Sequence, residues 1–147
     1  SIQIINLENF ETDPKKNAIV ISADYQSTLF SEAASASFHS DGWQVYSLGD
    51  MSSSIDVLFD LDFQKFLTKV WKSGSGIMLI VVFSSTEDGM KFFAESINSI
   101  KLKSRKNLYL TICGKVEKNT EIEADLIDEN LETVLQWSQT TFESSTS

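Results

Sequence analysis

The sequence is poor in the residues that build most catalytic and metal sites. Its 147 residues include one cysteine, Cys113, one histidine, His39, one arginine, Arg105, and one proline, Pro14. A single cysteine excludes an internal disulfide framework and any cysteine-based zinc cluster. One imidazole leaves little for triads or metal centres. Long hydrophobic runs are missing too. The longest, Ile77 to Phe83, falls far short of the roughly 20 residues that span a bilayer, and Ser1 opens no signal pattern. No membrane is expected, and the free thiol without a targeting segment points to the cytoplasm. Basic residues are outnumbered, twelve against 21 acids, for a net charge of −9. That balance argues against nucleic acid as a partner.

What is present is a core. Hydrophobic residues make up 41% of the chain, with ten Phe and three Trp, enough to fill one domain without staples. The reading is a single domain over residues 1–142 and a flexible tail over 143–147, where nothing remains to bury. Charge is segregated along it. Residues 1–64 carry ten acids against Lys15 and Lys16, residues 65–119 ten bases against four acids, and residues 120–147 seven acids and no base.

Five apolar runs read as strands: Ile2 to Leu7, Ala18 to Ala23, Trp43 to Leu48, Ile77 to Phe83 and Leu108 to Ile112. The fourth is apolar at every position, as a strand covered on both faces must be. Helical periods lie between them. Ser27 to His39 ends at the Asp41-Gly42 stop signal. Ser52 to Lys72 places Leu58, Leu61, Phe66, Val70 and Trp71 along one face. Thr86 to Leu102 opens with Thr86 as cap and spaces Met90, Phe93, Ile97 and Ile100 as a core stripe. Asp125 to Phe142 closes the chain with Ile127, Leu131, Val134 and Leu135. Strands alternating with helices predict an α/β fold: a doubly wound open sheet, mostly parallel, of about five strands with helices on both faces.

Ligands of such sheets bind beyond the strand carboxyl ends. The turn Ala23-Asp24-Tyr25-Gln26-Ser27 lacks the glycines of a dinucleotide fingerprint, and no phosphate-cradling Gly…Lys-Ser/Thr loop exists. The expectation is therefore no cofactor, with Mg²⁺ as the one exception. Asp24, Asp50 and Asp88 each follow a strand or open a helix, so they could converge on an oxygen-ligated cation. Each also has a plainer role, as a helix-start acid or a turn residue. Cys113 precedes Gly114 and Lys115, and that lysine could lower its pKa. The commoner fate of such a thiol is to pack as a small hydrophobe. His39, near Gly42, reads as a surface residue favoured by the helix dipole. The cluster Lys101, Lys103, Arg105 and Lys106 reads either as a solvated helix end or as a docking patch for an acidic protein partner.

The element order resembles the receiver domain of bacterial response regulators. Ser22-Ala23-Asp24-Tyr25-Gln26-Ser27-Thr28-Leu29 is similar to the acidic end of a receiver's first strand, Gly42-Trp43 to the pair opening its second, and Asp88-Gly89-Met90 to the start of its third helix. The resemblance spans roughly residues 18–115 and implies a degenerate member. Phe83-Ser84-Ser85 stands where receivers carry the phospho-acceptor aspartate, Ala23 replaces one of the acidic pair that holds Mg²⁺, and Cys113 falls near the switch hydroxyl. The unit from Ile77 to Leu110 also looks like small GTPases or RecA-type ATPases stripped of their phosphate loops. The function expected is a non-catalytic protein-interaction domain in signalling or scaffolding, alone or in an oligomer. The alternatives are a metal- or nucleotide-sensing domain using the acidic crevice, or a degenerate P-loop-type pseudoenzyme.

Overall fold

The computed structural model describes residues 5–6, 11–71, 74–103, 107–117 and 121–146. In chain order its elements are β1 (Ile5–Asn6), β2 (Lys16–Ser22), α1 (Thr28–Ser40), β3 (Gln44–Asp50), α2 (Phe59–Val70), β4 (Ile77–Phe83), α3 (Glu87–Lys103), β5 (Asn107–Cys113), β6 (Leu126–Asp128) and α4 (Leu131–Thr146). One sheet runs in the order β1-β3-β2-β4-β5-β6. Five strands are parallel, and β1 joins the edge antiparallel, setting Ile5 opposite Ser47. This is the expected α/β architecture, a Rossmann-like doubly wound sheet. Counted from β2, the parallel order is 2-1-3-4-5, so the winding reverses between β2 and β4.

β4 is buried at all seven positions because both of its faces are covered. Met78, Ile80 and Val82 meet Phe59, Phe63, Phe66 and Leu67 of α2 and Met90, Phe93, Ile97 and Ile100 of α3. The alternate residues Ile77, Leu79 and Val81 meet Ala34 and Phe38 of α1 and Val134 of α4. α1 stops at Gly42, whose φ of +90° places it in the left-handed region that glycine tolerates. Thr86 caps α3, its Oγ1 accepting the Gly89 N–H at 3.1 Å.

Five sequence expectations are corrected. The helix expected from Ser52 begins only at Phe59, and Ser52–Ser54 form a 3₁₀ turn. Leu58 and Leu61 are exposed, because the larger aromatics Phe59, Phe63 and Phe66 take the inward face. Leu126–Asp128, expected inside the last helix, is instead a strand beside β5. The helix starts after it, where Asn130 Oδ1 accepts the Glu132 N–H at 2.9 Å. α4 also continues through Thr146, so residues 143–146 are helical where a flexible tail was expected. Lys16 helps to hold α4. Buried at the start of β2, its Nζ donates to Asp41 O at 2.8 Å and Gln139 Oε1 at 2.9 Å. The ammonium sits 5.1 Å from the Trp43 ring and 5.3 Å from that of Phe142. Finally, His39 is buried and not a surface residue.

Candidate functional site

In this architecture the ligand crevice opens beyond the carboxyl ends of the two strands flanking the winding reversal. Here those are Ser22 of β2 and Phe83 of β4, paired in register. The loops leaving them are tied together. Asp24 Oδ2 accepts the Ser85 N–H and the Ser85 hydroxyl, each at 2.8 Å, while Oδ1 accepts the Ser27 N–H at 3.0 Å. The Ser85 hydroxyl also lies 3.3 Å from Gln26 Oε1. Ala23 N donates to Phe83 O at 2.7 Å beneath this clasp. Burial alone would raise the Asp24 carboxyl. The donors from Ser85 and Ser27 outweigh it and hold the pKa below the ordinary carboxylate value.

Small residues let the loops close. A Cβ on Gly89 would come within 2.6 Å of Ser84 Oγ and 3.1 Å of Ala23 Cβ. One on Gly114 would lie 2.7 Å from Ser84 O. The Ser84 hydroxyl is itself engaged, donating to Thr86 O at 2.7 Å. At the winding reversal the two loops are therefore held against each other by the chain's own backbone and hydroxyls. A cavity of about 410 Å³ lies beside it, lined by Ser85, Thr86, Glu87, Asp88, Lys115 and Glu117. Another cavity, about 740 Å³, is remote from the strand ends, between the outer side of α3 and Glu121–Glu123.

The three candidate aspartates do not form one site. Asp24 is spent on the clasp, Asp50 accepts the Ser52 N–H at 2.9 Å as a turn residue, and Asp88 is exposed in the first turn of α3. Among the described residues no group of three or more His, Cys, Asp and Glu side chains could hold a metal ion. Ser85, expected only as part of the segment standing for the phospho-acceptor, is the partner of Asp24. The only signal for this role was a pair of serines ending the most apolar strand.

The other candidates change as well. Cys113 is 6% exposed, and burial together with the Asp128 carboxylate pushes its thiol up to about 12. This is the opposite of the lowering by Lys115 that the sequence suggested. Lys101 is committed within the fold, reaching both carboxylate oxygens of Asp125 at 2.9 and 2.6 Å. Asp125 in turn accepts the Leu110 N–H at 2.8 Å. Lys103 is exposed at the end of α3, and Arg105 and Lys106 lie outside the described residues. No helix among the described residues is long and apolar enough to cross a membrane.

No family model matches the chain, and no curated protein matches it in sequence. Among solved structures it is similar to the monomethylamine corrinoid protein of Methanosarcina barkeri, with a TM-score of 0.62 and 18% identity over 88% of this chain. The match covers 58% of that protein's length. At this identity the likeness establishes the fold. It also corrects one expectation. The forecast of no cofactor rested on missing phosphate-binding fingerprints, and a protein of the same fold is a corrinoid protein. This chain's own residues do not match a seat that ligates a corrinoid cobalt through an imidazole. The strand carboxyl ends carry Asp24, Asp50, Ser85 and Thr86, while His39 is buried in the last turn of α1, toward the opposite end of the sheet.

Proposed function

We propose that this chain is a non-catalytic protein-interaction domain, a signalling or scaffolding module built on a Rossmann-like, degenerate receiver-like frame. The observation that carries the reading is the Asp24–Ser85 clasp, which occupies the place where a small-molecule site of this architecture would open. It also fits the degenerate receiver, since Ser85 belongs to the segment standing in for the phospho-acceptor. The buried, protonated Cys113 supports the absence of nucleophilic catalysis. A reducing, cytoplasmic setting belongs to the same proposal.

Thermal melts with Mg²⁺, ATP, GTP and acetyl phosphate test it. A ligand at 100 times its Kd adds about 2.7 kcal/mol, several degrees for a domain of this size. Unchanged melting with all four is the expected result. A shift that Asp24→Ala abolishes would replace the interaction reading with metal or nucleotide sensing. Cobalamin belongs in the same panel, because the structural neighbour is a corrinoid protein. Visible colour retained after desalting would replace the interaction reading with corrinoid sensing.

A further inference from the structure

We propose that the pole at the carboxyl ends of β2 and β3 docks a basic amphipathic segment of a protein partner. The inference rests on the interaction reading above and adds where the partner binds and of what chemistry it is. Two segments leave this pole from adjacent strands and start helices on opposite faces of the sheet. Ser22 and Asp50 are register partners, and Met51 N donates to Ser22 O at 2.8 Å, so the chain leaves both strands from one place. From the first segment, Tyr25, Leu29 and Phe30 stand in solvent, Tyr25 at 78% exposure. From the second, Val57, Leu58 and Leu61 do the same, Val57 at 95%. Single exposed apolar residues need no explanation, but three within six residues in each of two segments leaving one pole mark a contact surface.

Local bonding holds part of this surface in place. Asp56 Oδ1 accepts the Leu58 N–H at 2.8 Å, which fixes the turn carrying Val57. Thr28 Oγ1 donates to Tyr25 O at 2.7 Å and ties Tyr25 to the start of α1. Along the chain that carries these segments the charge has one sign. Between Lys16 and Lys65 there is no Lys or Arg, and seven acids fall in that stretch. Asp56 and Asp62, both exposed, flank the apolar side chains. Such a surface repels nucleic acid, anionic lipid and acidic peptides. It complements a segment in which Lys or Arg alternates with bulky apolar residues, the charges steering encounter and the apolar contacts holding the complex.

The test uses the full chain, ¹⁵N-labelled, titrated with a synthetic amphipathic helix of lysine and leucine, and separately with the same helix carrying glutamate for lysine. The basic helix is expected to shift amides at 25–30 and 55–62, and the acidic helix to leave them unmoved. Val57→Ser/Leu58→Ser should weaken the basic helix by about tenfold or more, the loss expected for two buried aliphatic anchors, with an unchanged melt. Shifts confined to other surfaces, or equal binding by the double variant, overturn the assignment of this face. Binding of the acidic helix at the end of α3 overturns it too, while leaving the interaction reading standing. Concentration-dependent shifts at 55–62 without peptide would make the occupant a second copy and overturn the proposed partner. Absence of any shift with either helix overturns both the face and the evidence of a binding surface it draws on.

Discussion

Two helix starts at the same pole have opposite fates. α2 and α3 both follow parallel strands, and both carry acids in the first turn, Asp60 and Asp62 in one, Glu87 and Asp88 in the other. The start of α3 is capped by Thr86 and pressed through Gly89 against Ala23 and Ser84. The start of α2 has no side-chain cap on its first residue and leaves Val57, Leu58 and Leu61 in water. The difference separates two uses of one pole. Where the winding reverses, the chain closes on itself. One strand further out, it presents apolar surface that its own core does not take up.

The largest effect should come from the one inward residue at the open helix start. Phe59 is buried and packs on Phe63 and Phe93 at ring distances of 5.4 and 5.1 Å. Phe59→Ala should cost about 3–5 kcal/mol by cavity formation, read as a melt lower by roughly 10 °C. An effect as small as that of its neighbour Leu58 would erase the distinction between the two sides of this turn.

Next comes the closed start. Gly89→Val forces side-chain atoms into Ser84 and Ala23 and should cost about 1–3 kcal/mol by overpacking. A neutral substitution, checked by denaturant unfolding, would mean that the crevice has room.

Asp24→Ala removes a turn cap and two hydrogen bonds from Ser85, with an expected loss of about 1–2 kcal/mol at neutral pH. The pH dependence has a definite sign. The folded carboxyl titrates below its ordinary value of 3.8, so its contribution is complete above that value and fades as pH falls through the folded pKa. Melts of wild type and variant should therefore converge in acid. A gap that stays constant below pH 4 would show that charge plays no part.

The smallest stability effect belongs to Val57→Ser/Leu58→Ser, expected within about 0.5 kcal/mol of wild type because both side chains are exposed. A substantial drop in the melt would place them in the core after all.

How much of this was legible depended on the range of the signal. β4 and α3 could be read locally, since a fully apolar run and a Thr-capped stripe are properties of neighbouring residues. α2 carried two overlapping apolar patterns, and local spacing did not say that Phe59, Phe63 and Phe66 would displace Leu58 and Leu61 from the sheet. β6 is three residues long between polar flanks, and it exists because β5 offers it an open edge. The buried seat of Lys16 is built from Trp43 and Phe142, far along the chain, so the residues beside this lysine carried no sign of it. The clasp was invisible for the same reason. Asp24 was singled out for its charge, but its partner Ser85 lies 61 residues away, and only the pairing of β2 with β4 brings them together.

The closed crevice can be tested at one atom. The Ser85 amide donates to Asp24, so its proton resonance should move with the ionisation of that carboxylate. A pH titration followed by two-dimensional NMR should show the Ser85 amide shifting with a midpoint below 3.8, and that transition should vanish in Asp24→Ala. A Ser85 amide that ignores pH, or that titrates at the ordinary carboxylate value, would contradict the clasp and reopen the crevice as a binding site.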